Sequence, residues 1–345
     1  MEIRGQDEEL AGARVKTDEF DYELPDAAIA QVPIEPRDAA RLLVDRADGA
    51  PEDRHVRDLP DLLRAGDLLV VNDTRVIPAR LRLAKTTGGS AEVLLAERTG
   101  QRTWNALVRP ARRLAPGTVL AHDGEPVVRV GEAGPDGTRA VELLGEEEPL
   151  ALVERLGAVP LPPYITADLD DPERYQTVFA HRPGSAAAPT AGLHLTDAVL
   201  DRCRQRGIGV ATVDLEVGLG TFAPIRADDV EDHVVHTERF AVPAATVAAV
   251  EAAERVVAVG TTVVRTLESW AATGRTEGST DLYLRRGHRF AKVDVLLTNF
   301  HVPRSSLLVL VDAFVGERWR DLYATALDRG YRFLSFGDAM LLERR

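Results

Sequence analysis

The sequence has one cysteine, no long hydrophobic run and a shortage of positive charge. Cys203 is the single cysteine among the 345 residues, so no internal disulfide can form, and its place in a predicted helix is typical of a small buried thiol. No uninterrupted stretch of about 18 apolar residues is present, which argues against a membrane-spanning helix. The opening residues MEIRGQDEELAGARVK are acidic and polar and are unlike a secretory signal. We therefore expect a cytoplasmic protein that does not enter a membrane.

The charge balance limits the possible partners. The chain carries 42 Lys and Arg residues against 55 Asp and Glu residues, a net charge of −13. Non-specific binding to a polyanion needs many cationic contacts, so this balance argues against it, although a local basic patch can still hold phosphates of a structured nucleic acid. Two such patches are candidates, and each could equally be a solvated face. One comprises Arg285, Arg286, His288, Arg289 and Lys292, and the other comprises Arg75, Arg80 and Arg82.

The pattern of secondary structure changes near residue 150. From residue 66 to 149 the chain consists of short segments that alternate or are β-branched, separated by Gly, Pro and Asp. This pattern predicts a small antiparallel barrel or sandwich. These segments are DLLVVN, ARLRL, AEVLLAE, TWNALV, PVVRV and RAVELL. Beyond residue 150 strands alternate with amphipathic helices, which predicts an α/β domain with a mostly parallel sheet and helices on both faces.

Polar residues follow three predicted strands where each strand ends. Ligands of open α/β sheets bind beyond the carboxyl ends of the strands, so these residues are candidates for one shared crevice. Each could instead be an ordinary strand-to-helix cap, with Ser305 or Ser306 as one example. The three strand ends are Asn299 and His301 in TNFH, Gly260 followed by Thr261, Thr262 and Arg265, and Glu216 followed by Gly218, Gly220 and Thr221.

Two further patterns are weaker than they first look. His233 and His236 in EDHVVHTE suggest metal ligands, but an i, i+3 pair in an extended segment points to opposite faces, and none of the usual zinc spacings occurs. We therefore predict no metal site. GLGTFA fits a dinucleotide-binding fingerprint, but Pro224 and Ile225 follow it where a helix should begin. A tight loop whose glycines let the backbone approach a ligand is the better interpretation.

Several long motifs occur together and in one order. They are FDYELPDAAIAQVPIEPRDAARLLV, GDLLVVNDTRVIPARL, LPPYI, APTAGLHLT, VGLGTF, EDHVVHTE, AVGTTVVRTLES, LLTNFHVP and YRFLSFGDAM. From Phe20 to about Leu342 the chain thereby resembles the S-adenosylmethionine:tRNA ribosyltransferase-isomerase family of queuosine biosynthesis. The resemblance implies a monomer with a polar extension (1–18), a discontinuous α/β catalytic domain (19–65 and 150–345) and an inserted β-barrel (66–149).

The resemblance also implies a reaction. The ribosyl part of S-adenosylmethionine would be transferred to the aminomethyl group of a deazaguanine in tRNA and isomerised. The product would be epoxyqueuosine, and adenine and methionine would leave. The sulfonium acidifies the adjacent ribose carbon, so a histidine or carboxylate base is expected there, together with proton donors for the leaving groups. The reaction requires no metal or redox cofactor.

Site residues follow from the matching motifs and, for Arg285, Arg286 and Arg289, from the basic patch. The acid–base candidates are His194, Glu216, His236 and His301, with Glu238 as an orienting group. The candidates for binding S-adenosylmethionine are Gly218, Gly220, Thr221, Thr261, Arg265 and Asn299, with Thr261 and Arg265 holding an anionic group at a helix N-terminus. The candidates for binding the tRNA substrate are Asn72, Thr74, Arg75, Arg285, Arg286 and Arg289.

Two departures from the family pattern leave alternatives open. Glu216 stands where the family has histidine, and Arg285-Arg286-Gly287 replaces the usual Tyr-Pro-Gly. A carboxylate in place of an imidazole changes charge, reach and pKa. The chain could therefore be a paralogue that modifies a small deazapurine, or an inactive nucleic-acid-binding homologue. A metal-dependent hydrolase is a more remote alternative. The retained polar strand ends argue against loss of catalysis.

Overall fold

The computed structural model describes residues 14–47, 49–134, 137–218, 224–235 and 237–345. Its strands are β1 (Arg41–Asp45), β2 (Glu52–His55), β3 (Asp67–Asn72), β4 (Thr74–Val76), β5 (Arg80–Lys85), β6 (Ser90–Arg98), β7 (Thr103–Arg109), β8 (Val119–His122), β9 (Glu125–Ala133), β10 (Arg139–Leu143), β11 (Gly157–Ala158), β12 (Arg182–Ser185), β13 (Gly209–Leu215), β14 (Glu238–Ala241), β15 (Arg255–Val259), β16 (Glu277–Thr280), β17 (Val295–Asn299) and β18 (Ala339–Glu343). Its α-helices are α1 (Leu59–Leu62), α2 (Pro149–Leu156), α3 (Asp197–Gln205), α4 (Ala244–Ala252), α5 (Thr261–Thr273), α6 (Ser306–Val315) and α7 (Arg318–Asp328).

The larger sheet has nine described strands in the order β16-β14-β13-β3-β15-β17-β18-β1-β2. Its centre, β13-β3-β15-β17, is parallel, as is the β18–β1 pair. The contacts β16–β14, β14–β13, β17–β18 and β1–β2 are antiparallel. The prediction of a mostly parallel sheet therefore holds only for the centre. One cause is that two successive helices, α6 and α7, return the chain to the carboxyl edge, so that β18 runs against β17.

The central strands are buried on both faces, which explains their continuous apolar sequences. Leu68 and Val70 of β3 belong to the core beneath α5, α6 and α7, whereas Leu69 and Val71 belong to the core beneath α1 and α3. Successive side chains of a strand point to opposite faces, so such a strand needs an apolar residue at every position. Cys203 is buried in α3, as predicted. None of the described helices is long and apolar enough to cross a membrane.

The second sheet closes into an antiparallel barrel. Six strands follow the order β5-β6-β7-β10-β9-β8, and pairing of β5 with β8 closes the ring. Trp104 and the alternate residues of each strand fill its interior. The barrel prediction is thereby confirmed, but the segment DLLVVN, predicted to open it, forms β3 at the centre of the larger sheet. All six residues of β3 are buried, which is the pattern of a central parallel strand and not of a barrel strand.

The predicted helices and strands that lead to the candidate site are confirmed. Strand β15 ends immediately before Gly260, and α5 begins at Thr261 and ends at a left-handed Gly274. Strand β17 ends at Asn299, and the Ser305 hydroxyl caps α6 by accepting a hydrogen bond from the Leu308 N–H. The carboxyl ends of these two neighbouring strands therefore meet at one edge of the sheet.

Candidate active site

A pocket opens at the carboxyl ends of β15 and β17. Gly260 connects β15 to α5 with φ of 90° and ψ of 154°, a conformation available essentially to glycine alone. This bend turns the first residues of α5 towards the pocket. The residues that line the pocket are Tyr164, Ala188, Pro189, Thr190, Ala191, Val217, Gly260, Thr261, Thr262, Thr298, Asn299, Phe300, His301, Val302, Leu307, Leu334 and Ser335.

The N-terminus of α5 gives this pocket a partial positive charge. No side chain of the described residues caps the helix, and its first residues, Thr261 and Thr262, both line the pocket. The first N–H groups of a helix have no partner within the helix, and the helix dipole adds positive potential there. This wall of the pocket therefore suits a negatively charged or electron-rich group.

His301 is fixed in the wall of the pocket. Its Nε2 lies 2.9 Å from the Thr298 hydroxyl, its backbone N–H donates to the Tyr323 hydroxyl at 2.9 Å, and its carbonyl accepts from the Tyr22 hydroxyl at 2.5 Å. Burial lowers the pKa of His301 from 6.5 to about 3. At neutral pH the imidazole is therefore uncharged and can accept a proton.

His194 acts on the pocket through Asn299. The Asn299 amide donates to His194 Nε2 at 2.9 Å, and its carbonyl accepts from the Thr190 hydroxyl at 2.9 Å. Burial lowers the pKa of His194 to about 4, with a further contribution from Arg332 and Arg37. The uncharged imidazole accepts the Asn299 hydrogen bond and orients that side chain, but His194 itself lines a different, smaller cavity.

A second cavity adjoins the first and contains an ion pair. Leu307 lines both cavities. Arg265, one turn into α5, donates from Nη1 to Glu238 Oε2, and its Nε donates to the Leu282 carbonyl at 3.3 Å. The other Glu238 oxygen accepts the Gly218 N–H at 3.0 Å. The pair therefore joins α5 and β14 to the segment that follows β13.

Three buried polar atoms in the two cavities have no hydrogen-bond partner among the described residues. They are the Thr262 hydroxyl in the first cavity, and Arg265 Nη2 and the Tyr283 hydroxyl in the second. Buried polar groups are nearly always hydrogen-bonded, so unpaired ones that line a cavity indicate a place for a polar ligand. The two cavities together therefore have the character of a binding site.

Glu216 does not share this site. Its neighbour Val217 lines the first pocket, whereas Glu216 lines a separate open cleft with Asp214, Arg239 and Phe240. Burial is the main cause that raises the pKa of Glu216. Because successive residues of an extended segment face opposite sides, the departure from the family pattern points away from the pocket. His236, Gly220 and Thr221 lie outside the described residues.

The predicted substrate-binding residues lie apart from both cavities and are mostly held by other groups. Asn72 is buried and bridges the Leu215 carbonyl and N–H, and the Thr74 hydroxyl lies 2.8 Å from that of Ser185. These are contacts that hold strand ends together. The arginines form ion pairs or are exposed: Arg75 pairs with Glu173, Arg285 with Glu231 and Arg286 with Asp312, and Arg289 is exposed.

Several residues that line the cavities were not proposed from the sequence. Tyr164 and Ser335 share a 2.7 Å hydrogen bond across the first pocket wall. Leu334 beside them has φ of 68°, an uncommon conformation for leucine. The signals were the motifs LPPYI and YRFLSFGDAM, which contain these residues but which we used only for the resemblance. Among the described residues, no cluster of three or more His, Cys, Asp or Glu side chains could hold a metal ion.

The structure is that of an α/β protein with an inserted antiparallel barrel and two adjoining cavities at the strand ends. The model of the family described as queuosine biosynthesis protein matches residues 17–342, and the chain belongs to this family.

Individual relatives are similar over nearly their full length. The chain is 52% identical to the S-adenosylmethionine:tRNA ribosyltransferase-isomerase of Moorella thermoacetica, over 95% of this chain and 100% of that protein. It is 53% identical to the protein of the same name from Rubrobacter xylanophilus, over 95% and 98% of the two chains. The crystal structure of the S-adenosylmethionine tRNA ribosyltransferase of Thermotoga maritima is 38% identical, with a TM-score of 0.53 and coverage of 94% and 99%.

Proposed function

We propose that this protein transfers the ribosyl moiety of S-adenosylmethionine to the aminomethyl-deazaguanine base of tRNA and isomerises it. The product is epoxyqueuosine, and adenine and methionine are released. The observation that carries the proposal is the pair of cavities with unpaired buried polar atoms, in a chain about half identical to relatives named for this reaction. We infer a cytoplasmic location, because the proposed substrate is tRNA.

S-adenosylmethionine has groups that suit the two cavities. Arg265 Nη2 would bind the methionine carboxylate, because it is a cationic donor that has no hydrogen-bond partner in the part of the chain that the structure describes. Glu238 in the same cavity would lie near the sulfonium cation. Thr261, Thr262 and Asn299 would hydrogen-bond the ribosyl or adenine groups in the first cavity.

Among the described acid–base candidates, His301 lines the first pocket, and we assign it the proton transfer at the ribose carbon next to the sulfonium. A neutral imidazole takes that proton and becomes imidazolium, while the substrate cation becomes neutral overall. The total charge of the pocket is unchanged, so burial does not oppose the transfer as it opposes protonation from water. Positioned general bases contribute about 10²- to 10⁴-fold to a rate.

A mass-spectrometric assay tests the proposal. The purified protein is incubated with S-adenosylmethionine and either tRNA that carries the aminomethyl-deazaguanine or the free base. We expect adenine release together with a ribosyl-derived mass gain on the tRNA alone. A gain on the free base and not on tRNA would support the small-molecule paralogue, although Glu216, which motivated that alternative, faces away from the pocket. Failure to release adenine with either acceptor would overturn the proposal.

A further inference from the structure

The outer face of the barrel carries an ordered row of arginines. On β5, β6 and β7, alternate residues point outward, and register places Arg82 opposite Glu92 and Glu92 opposite Arg109. In the next outward row, Arg80 lies opposite Leu94, and Leu94 lies opposite Leu107. An apolar strip thus lies beside a basic one on a single face of the barrel.

This surface is positive in a chain that is otherwise acidic. Residues 80–143 contain ten Lys and Arg against seven Asp and Glu, although the whole chain has a net charge of −13. Arg82 and Arg109 are exposed, and the basic row continues into the exposed Arg112 and Arg113. Arg80 pairs with Glu92 at 3.5 Å, but no described carboxylate lies within ion-pair distance of Arg82, Arg109, Arg112 or Arg113. By contrast, Arg285 and Arg286 are both paired with carboxylates.

A proline-rich segment faces this surface and forms a cleft with it. The cleft is lined on the barrel side by Arg80, Arg82, Arg109 and Glu92 together with Leu94 and Leu107, and on the other side by the segment 158–169, which contributes Asp168. Its apolar contacts come from Pro160, Pro162, Pro163 and Ile165. Leu107 and Pro163 are exposed and offer apolar surface against which unstacked bases can pack, whereas Pro160, Pro162 and Ile165 are buried in the cleft wall.

The cleft runs beside the candidate active site. Ala187 lines the cleft, and the next residue, Ala188, lines the first pocket. In the same way Pro163 and Ile165 line the cleft, and Tyr164 between them lines the pocket. The cleft and the pocket therefore lie on opposite sides of one wall at two separate points, so an RNA chain in the cleft would lie next to the pocket.

We propose that the cleft between the barrel and the segment 158–169 binds the single-stranded RNA that carries the target base. Arg82 and Arg109 contact its phosphates, the exposed Leu107 and Pro163 contact its bases, and the target base enters the adjoining pocket. Proteins bind unpaired nucleic acid in positively charged grooves in which guanidinium planes can stack on bases, and a local basic patch allows this in an acidic protein. This inference rests on the proposed function and names the surface that receives the tRNA.

The test compares Arg82→Ala, Arg109→Ala and the double variant with Arg57→Ala. Arg57 is an exposed arginine of the larger domain that does not line the cleft, so it is the matched control. The dissociation constant for tRNA and for its anticodon stem-loop is measured against salt concentration, and KM is measured for tRNA and for S-adenosylmethionine. We expect each cleft variant to weaken RNA binding about fivefold near 0.1 M salt and to reduce the log–log salt slope by roughly 0.7. KM for S-adenosylmethionine should not change.

The outcomes separate this inference from the proposed function. Unchanged RNA affinity and salt slope in the double variant, with an active wild-type enzyme, would overturn the cleft proposal and leave the function standing. Equal weakening by Arg57→Ala would also overturn it, because the attraction would then be diffuse. If the wild-type protein bound RNA through the cleft but released no adenine, the proposed reaction would be refuted. The proposal that the cleft binds RNA would be supported.

Discussion

Arg265 uses its guanidinium for two purposes, and a single substitution can separate them. Nη1 pairs with Glu238, whereas Nη2 is buried in the second cavity and has no partner among the described residues. Arg265→Lys keeps a cation beside Glu238 but removes the forked second donor. We expect the affinity for S-adenosylmethionine, measured by calorimetric titration, to fall about tenfold or more, as for the loss of a hydrogen bond to a charged group.

Arg255 provides a matched control for Arg265. It forms a two-point ion pair with buried Asp67, with N–O distances of 3.0 and 2.7 Å, and lines neither cavity of the site. Arg255→Lys should lower the free energy of unfolding without changing the affinity for S-adenosylmethionine. Equal losses of affinity in the two variants would show that Arg265 acts through general stability and not as a ligand donor.

His301 should affect turnover more than binding. His301→Asn keeps a polar side chain near Thr298 but removes the titratable imidazole. We expect kcat for adenine release to fall about 10²- to 10⁴-fold while the affinity for S-adenosylmethionine changes little. His288, which lies 3.4 Å from Glu268 and lines neither cavity, gives the control His288→Asn. Near-normal turnover by His301→Asn would remove this residue from the mechanism.

At the scale of an element, Gly260 determines where α5 begins. A Cβ atom at residue 260 would lie 3.6 Å from both Ala191 Cβ and the Thr262 hydroxyl, so there is room for it, but φ of 90° is strained for alanine. Gly260→Ala should lower the free energy of unfolding by about 1–3 kcal/mol. Because the strain is relieved by moving Thr261 and Thr262, the affinity for S-adenosylmethionine should fall as well. Urea unfolding and ligand titration measure the two effects.

The other end of α5 carries the control for this prediction. Gly274 ends the helix with φ of 68° and has open space around its Cα. Gly274→Ala should cost about 1 kcal/mol of stability and leave ligand affinity unchanged, since no pocket residue moves. If both glycine variants weakened binding equally, the position of the α5 N-terminus would not be the cause.

The elements that are local in sequence were the ones that could be predicted. Strand β17, its polar end and the Ser305 cap follow one another within about a dozen residues, and hydrophobic pattern and capping chemistry identified them. Strand β3 was misplaced because a short apolar run has the same composition in a barrel and in a central parallel strand. Its neighbours in the sheet, β13 and β15, are more than a hundred residues further along the chain.

The candidate site was predictable in its residues more than in its geometry. Asn299, His301, Thr261 and Arg265 were identified from strand ends and motifs, and the structure brings them to adjoining cavities. The side to which Glu216 points depends on where β13 ends, and a shift of one residue reverses it. The ion pairs of Arg286 with Asp312, and the cleft beside the barrel, depend on contacts between distant segments that no local pattern records.

At the scale of the whole molecule, two buried histidines should make stability depend on pH. The native pKa values of His194 and His301 are about 4 and about 3, because burial opposes the charged form. In the unfolded chain both should titrate near 6.5. Below pH 6.5 the unfolded state therefore binds two protons that the native state does not bind, so acid favours unfolding. Stability should be unaffected by these groups above pH 6.5 and should fall by about 1.4 kcal/mol per histidine for each pH unit below it.

Urea unfolding at pH 7, 6 and 5 measures this effect. Between pH 7 and 5 the two histidines together should lower the free energy of unfolding by about 4 kcal/mol, and each single variant, His194→Gln or His301→Gln, should show a slope smaller by about one proton. The slope, unlike the absolute stability, is insensitive to packing changes that either substitution causes. An unaltered slope in both variants would mean that the native imidazoles bind protons as readily as the unfolded ones. The assignment of His301 as an uncharged base at neutral pH would then also be wrong.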